Sequence, residues 1–328
     1  MIIIRTPYRI SFFGGGTDYP DWYNKFNGKT ISTSINFYSY LTLSKLEKFF
    51  KYNYRIRYYY REEAQKINDI KHPTIRNALK YKKFSKGLSL NHFGELPAKT
   101  GIGSSSSFTV GLLHGIEQFK KKKIAKNKLY KDAIFLEQFL NREVVGSQDQ
   151  VISALGGFQV INFSKKKIVT KNLKKFKNNI QEIENSCLLI YSGKQRSSYK
   201  IAKKNISNIN SKKNYYSKLF KTAIKGEKLI KSKNFKIERF AQLINESWEI
   251  KKKTSSLISN LKIDRIFKIA FNNGALGGKL LGAGQSGFIL IIAKKNKHEK
   301  IKNALKKFTI IKPKFEENGS TIIYEKNK

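Results

Sequence analysis

The sequence predicts an α+β fold in two domains, and three observations carry that expectation. A chain of 328 residues exceeds the usual size of a single hydrophobic core. Strand-like and helix-like segments are interspersed without strict βαβ alternation, which favours α+β over a doubly wound sheet. A polar, Lys/Asn-rich stretch from Lys165 to about Glu184 interrupts the apolar pattern near mid-chain and divides residues 1–175 from 176–328. Hydrophobic residues at 40% and aromatics at 13% are enough to fill a core, which excludes a disordered chain. The single cysteine, Cys187, excludes a disulfide framework or a cysteine-rich zinc site.

The elements follow in order. Residues 1–13 read as a strand, with Ile2, Ile4, Tyr8, Ile10 and Phe12 at mostly alternating positions, ended by Gly14-Gly15-Gly16. Thr30 to Leu46 alternates in the same way. Tyr52 to Arg61 is rich in tyrosine and arginine and reads as a strand with one wet face; the same interleaving could stack on single-stranded nucleic acid. A strand over Leu88 to Phe93 leads into a Gly/Ser loop, and Phe108, Leu112, Ile116 and Phe119 then recur at helical spacing. Leu129, Ala133, Leu136 and Leu140 mark a second helix, Gly146 breaks it, and a third opens near Ser147. Strands are expected at Phe158–Phe163, Leu188–Tyr191 and Phe288–Ala293, with long amphipathic helices between 209 and 273 and a last helix and strand at the end.

The formal net charge of +43 attracts anions of every kind but names none. Lysines fall in short scattered runs, as a biased composition would give, and no apolar run is long enough to cross a bilayer. Arg5, Pro7 and Arg9 interrupt the opening apolar run too soon for a signal peptide, so the expectation is a soluble cytoplasmic protein.

Three segments carry chemistry. In Pro97-Ala-Lys-Thr-Gly-Ile-Gly-Ser-Ser-Ser-Ser107 glycines turn the backbone tightly just before a helix. The free N–H groups and the dipole of that helix end suit phosphate. One serine would serve as a helix cap, but four after Gly-x-Gly form a phosphate cradle, and no Gly-Lys-Ser/Thr makes it a Walker A loop. Ser147 with Gln150 has the form of a capping box, which places Asp149 in the first helical turn, where it either serves the helix or accepts a proton from a hydroxyl nucleophile. Gly277 to Gly287 contains a formal G-x-G-x-x-G at Gly282, Gly284 and Gly287. A helix is expected before it and a strand after it, the reverse of a dinucleotide fingerprint.

Together these segments resemble the three motifs of the GHMP superfamily, the small-molecule kinases that include galactokinase, homoserine kinase and mevalonate kinase. The start, PYRISFFGGGTDY, is similar to the galactokinase signature, with Gly15-Gly16 in place of its Glu-His. Within the superfamily the chain most resembles the D-glycero-D-manno-heptose 7-phosphate kinases, on RISFFGGGTDYP, GSSSSFTVGLL, GSQDQ followed by LGGF, YSGKQRSS and NNGALGGKLLGAG. Gln285-Ser286 departs from the small residues usual in the late loop.

The resemblance implies an N-terminal domain like ribosomal protein S5 domain 2 and a ferredoxin-like C-terminal domain. It implies ATP and Mg2+ as cofactors and phosphorylation of the anomeric hydroxyl of a sugar phosphate. Carried over, Asp149 would be the base and Arg9 would stabilise the transferred phosphoryl group. Pro97, Thr100, Gly101, Ile102 and Gly103 would hold ATP with Ser104, Ser105, Ser106 and Ser107, and Ser105 and Glu137 would ligate magnesium. Gly15, Gly16, Thr17 and Asp18 would contact the sugar, Gly282 and Gly284 would close on it, and Arg196 would meet its own phosphate. The partners expected are therefore ATP and a small sugar phosphate, with neither nucleic acid nor membrane. A homodimer stays open. The competing readings are a sugar-1-kinase for a fucose-like sugar or a hexose, and a basic nucleic-acid-binding protein.

Overall fold

The computed structural model of the chain describes residues 1–193 and 209–326. The first sheet contains β1 (Ile2–Phe13), β2 (Gly28–Lys45), β3 (Tyr54–Arg57), β4 (Arg61–Ala64) and β5 (Leu88–Gly94), and adds β6 (Phe158–Phe163) and β7 (Ile168–Asn172) along the other half of β2. The second sheet contains β8 (Cys187–Tyr191), β9 (Ala275–Leu280), β10 (Phe288–Ala293) and β11 (Ile310–Ile311), in the order β11-β8-β10-β9. The last strand, β12 (Thr321–Glu325), returns to pair with β1. Strand pairs are antiparallel apart from β3 with β5.

Ten helices complete the described chain: α1 (Pro20–Phe26), α2 (Pro73–Tyr81), α3 (Ser104–Phe119), α4 (Lys126–Phe135), α5 (Gln148–Leu155), α6 (Lys177–Ser186), α7 (Lys213–Ile230), α8 (Ile237–Lys252), α9 (Leu261–Asn272) and α10 (His298–Ala304). None of the described helices is long and apolar enough to cross a membrane.

Burial explains the sequence patterns. β1 alternates at its start, but every residue from Thr6 to Phe13 is buried, because helices cover one face and the second sheet with α7 and α8 covers the other. β8 and β10 are apolar throughout for the same reason, with Leu189 and Leu290 in the core between the sheets and Ile190 and Ile291 in the outer core with α9. Phe12 stacks on Phe158 at 5.3 Å and meets the edge of Phe240, so α8 is locked against both β1 and β6. Glycines 111 and 115 let α3 lie close on the sheet: a Cβ at Gly115 would come within 2.5 Å of Leu43.

Several expectations need correction. The polar stretch 165–184 holds β7 and α6. Leu173, Phe176, Ile180 and Ile183 bury at helical spacing among the lysines. The Gly277–Gly287 segment begins as β9, where a Cβ at Gly277 would sit 2.4 Å from the Ala241 carbonyl oxygen of α8. The loop 281–287 therefore joins two antiparallel strands: a strand precedes it where a helix is expected, and the dinucleotide fingerprint fails because a strand, not a helix, follows. The helix expected through Leu140 ends as α at Phe135 and continues as a π-turn over Leu136–Leu140.

Candidate active site

A cleft of about 1130 Å³ opens between the two sheets' helices, lined from β1, the Gly/Ser loop, α5, α7, α8 and the loop after β9. Its chemistry starts at Arg9. β1 is buried on both faces there, so the guanidinium reaches the cleft from a rigid base. Nε donates to Asp149 Oδ1 at 2.8 Å and Nη2 donates to Asp149 Oδ2 at 2.8 Å, a bidentate pair, while Nη1 donates to the Gly101 carbonyl. Asp149 stands in the first turn of α5, as the sequence implies. The capping box does not form. Ser147 Oγ meets Tyr23 Oη and the Gln138 amide instead, and the Gln150 amide donates to Glu137.

The Gly/Ser loop is fixed from three sides. Arg9 N donates to Ile102 O at 3.0 Å, Phe288 N donates to Thr100 O at 3.0 Å, and Ser107 Oγ donates to Pro7 O at 2.8 Å. Gly101 and Gly282 both have left-handed φ, at 81° and 74°, and they touch: a Cβ on Gly282 would lie 2.4 Å from Gly101 Cα. Gly103 caps α3 with φ 76° and no side-chain bond, and a Cβ there would press on Arg9 and Asp149. Pro97, Gly101, Gly103, Ser104, Ser105 and Ser106 line the cleft. Thr100, Ile102 and Ser107 lie behind the loop, with Ser107 turned to Ser153 and the β1 backbone.

Glu137 is fully buried on the π-turn, a distortion frequent at functional sites. Its Oε2 accepts from Ser106 Oγ at 3.0 Å and from the Gln150 amide, while Oε1 has no hydrogen-bond partner. Burial, aided by the Glu143 carboxylate, pushes Glu137 up to about 8. The structure thus brings Ser106, not Ser105, to Glu137; Ser105 is exposed one residue away. No cluster of three or more His, Cys, Asp or Glu able to hold a metal occurs among the described residues. An orphaned carboxylate oxygen beside a serine hydroxyl nevertheless suits a hard cation that takes few protein ligands.

At the other end of the cleft, Asp18 is buried and accepts from Gly16 N at 2.9 Å and Gln148 N at 3.4 Å. Burial and the nearby Asp149 charge raise its pKa. Gly146 leaves the room it needs, since a Cβ there would fall 1.9 Å from Asp18 Oδ2. Gly15 and Gly16 line the cleft beside Tyr19 and Tyr216, whereas Thr17 is buried and bonds Gly14 O and Lys29. Gly282 and Gly284 line it from the far side. Arg196 lies outside the described residues.

Sequence reasoning missed four groups. Tyr58, Tyr59, Tyr60, His72, His92 and Phe108 form an aromatic wall near the Gly/Ser loop, with His72 4.8 Å from Tyr58 and 5.3 Å from Phe108. The basic-aromatic run 52–61 carries that signal, although its composition equally fits a strand with one wet face. Gln148, which accepts from Ser11 and Ser32, sat unremarked beside Asp149. Lys251 and Lys279, both lining the cleft, sit in ordinary helix and strand sequence that gives no motif.

A Gly/Ser loop at a helix N-terminus, facing a part-buried Arg–Asp pair, is the arrangement of a phosphotransferase of the kinase class. Residues 70–157 match the GHMP kinases N terminal domain and residues 228–310 match the GHMP kinases C terminal domain. The chain belongs to the GHMP kinases. It is 29% identical over 316 residues to the D-glycero-alpha-D-manno-heptose 7-phosphate kinase of Campylobacter jejuni, covering 92% of each chain. It is 25% identical to the mevalonate kinase of Methanocaldococcus jannaschii, over 71% of each chain. The solved structure of a D-glycero-D-manno-heptose 1-phosphate kinase from Bacteroides thetaiotaomicron shares its fold, with a TM-score of 0.79 at 19% identity and complete coverage of both chains.

Proposed function

We propose that this kinase transfers the γ-phosphoryl group of ATP to the anomeric hydroxyl of D-glycero-D-manno-heptose 7-phosphate, giving the 1,7-bisphosphate for nucleotide-activated heptose and surface polysaccharide synthesis. The observation that carries the chemistry is the bidentate Arg9–Asp149 pair set against the phosphate loop. The similarity to the Campylobacter jejuni enzyme supports the choice of substrate.

In this reading, Ser104 to Ser106 and the free N–H groups of α3 receive the phosphates of ATP, and the aromatic wall of Tyr58 to Tyr60, His72 and Phe108 takes the base by stacking. Arg9 orients Asp149. Each Asp149 oxygen accepts one guanidinium N–H and keeps a lone pair free, so the carboxylate can take the proton of the attacking hydroxyl. Asp18 and the backbone of Gly15 and Gly16 hold the sugar hydroxyls, with Gly282 and Gly284 closing the far side. Glu137 with Ser106, and Ser105 at the same turn, would hold Mg2+, whose charge neutralises phosphate oxygens. Holding these groups in line is most of what phosphoryl transfer asks of a protein. Arg196, just beyond β8, is the proposed contact to the acceptor's own phosphate.

ADP release measured across a panel of sugars and sugar phosphates tests the assignment. The expected result is a preference for heptose 7-phosphate over free heptose by orders of magnitude in kcat/KM, most of it erased by Arg196→Ala. Equal turnover of the two heptoses, or a clear preference for fucose or a hexose, would overturn it.

A further inference from the structure

The C-terminal side of the cleft holds two lysines that nothing so far uses. Lys251, in the last turn of α8, donates from Nζ to Gly282 O at 2.6 Å. Lys279, on β9 and 4% exposed, donates to Phe12 O at 2.8 Å. An ammonium has three donors, and in each case one backbone carbonyl accounts for a single one. Among the described residues neither lysine forms an ion pair; the carboxylate nearest in sequence to Lys251, that of Glu249, pairs with Lys252. Burial and the mutual repulsion of Arg9, Lys251 and Lys279 push both lysines down, Lys251 to about 8, with Asp18 pulling Lys251 the other way. Asp149 already occupies Arg9. Asp18, Glu95, Glu143 and Asp149 also line the cleft, but among the described residues none of them forms an ion pair with Lys251 or Lys279, so each ammonium keeps donors for a bound anion.

The location decides which anion. Lys251 holds the carbonyl of Gly282, Gly282 packs on Gly101, and the Gly101 carbonyl accepts from Arg9. The lysines thus reach the place where the Gly/Ser loop and the Arg9–Asp149 pair meet, with Lys251 near enough to Asp18 to feel its charge. We propose that Lys251 and Lys279 form a phosphoryl-binding subsite, contributed by the C-terminal half of the chain, that takes oxygens of the phosphoryl group in transfer alongside Arg9. The proposal rests on this cleft being the phosphotransfer site. The γ-phosphorus bond to the bridging oxygen of ADP breaks, the bond to the acceptor oxygen forms, the hydroxyl proton passes to Asp149, and the added charge leaves with ADP. The lysines transfer no proton. They hold charge where the transferring group passes, which fixed donors do well in a site closed to water.

The test uses ADP with magnesium and aluminium fluoride, a mimic of the phosphoryl group in transfer, with no sugar present. It therefore reads the same whether or not the heptose assignment holds. Lys251→Gln keeps an N–H for the Gly282 carbonyl and removes the charge. It is expected to weaken the ADP–aluminium fluoride complex at least tenfold, to leave affinity for ADP alone within about twofold, and to lower kcat by about 10²-fold on the best acceptor of the panel. Lys279→Gln shows the same pattern, and Lys251→Arg restores tight binding of the mimic. Three results overturn the proposal: unchanged affinity for the mimic, a parallel loss of affinity for ADP alone, and a defect confined to the KM of phosphorylated acceptors, which would assign the lysines to the acceptor's own phosphate.

Discussion

Beside the Arg9–Asp149 pair, the N-terminal wall of the cleft presents one continuous stretch of chain, Gly101 to Ser106, whose backbone N–H groups and hydroxyls arrive in sequence. The C-terminal wall presents side chains that arrive singly, Lys251 from a helix and Lys279 from a strand, held by carbonyls of other segments. The first arrangement needs glycines at set positions, because a backbone can approach a phosphate only where no Cβ intervenes. The second needs only that two lysines be carried to one place by packing. A site can therefore be half written in a motif and half in a fold.

The largest effect is expected on the N-terminal wall. Arg9→Met removes the charge proposed to meet the phosphoryl group and leaves Asp149 without its bidentate partner. It should lower kcat by about 10³ to 10⁵, the range by which arginines assist phosphoryl transfer, against the smaller loss expected for Lys251→Gln. Steady-state turnover of both variants under one set of conditions ranks the walls. A larger loss from Lys251→Gln would reverse the comparison.

Where the walls touch, Gly101→Ala places a methyl group 2.5 Å from Leu281 O, at a φ of 81° that side chains avoid. Overpacking of this kind costs about 1–3 kcal/mol. The expected outcome is a lower melting temperature and a raised KM for ATP, since the loop must shift. An unchanged melting temperature would mean that the walls do not rest on each other at Gly101.

Glu137→Gln and Ser106→Ala are each expected to raise the magnesium concentration giving half-maximal activity. Ser105→Ala is the informative comparison. The geometry brings Ser106 to Glu137, while the family resemblance pointed to Ser105. Overlaid titrations for Ser106→Ala and wild type, with a shift in Ser105→Ala, would give the metal to the exposed serine.

The smallest effect lies in the N-terminal half. His92 and His114 are half-buried, and burial pushes each down to about 4. An unfolded histidine takes its proton near 6.5, so each one's contribution to stability is complete above that pH and falls as pH drops towards 4, by about 1.4 kcal/mol per pH unit. Replacing His114 with Asn should flatten the decline in denaturation midpoint between pH 6.5 and 4. An unaltered slope would show that His114 is protonated in the folded state.

What the sequence disclosed follows the same division. Period-two alternation located β1 and β2, and the Gly/Ser run with its following apolar periodicity located the loop and α3. Local chemistry dictates those conformations. Arg9 and Asp149 were legible only through their motifs, because no local rule places residues 140 apart within 2.8 Å. The Ser147–Gln150 spacing misled, since tertiary partners for both side chains outcompeted the helix end. The lysine-rich stretch 165–184 misled too, because composition hid a helical pattern of few apolar residues. Lys251 and Lys279 left no trace, being two lysines among 66 Lys and Arg, distinguished only by where packing puts them.

Single-turnover phosphoryl transfer by Asp149→Asn, with ATP affinity measured on the same preparation, bears most directly on the claim that the Arg9–Asp149 pair is the reacting centre. Asn keeps the size and one acceptor oxygen but cannot take the proton. The account predicts ATP affinity within a few-fold of wild type and a transfer rate lower by about 10² to 10⁴. Transfer at the wild-type rate by the folded variant would remove Asp149 from the chemistry and contradict the account.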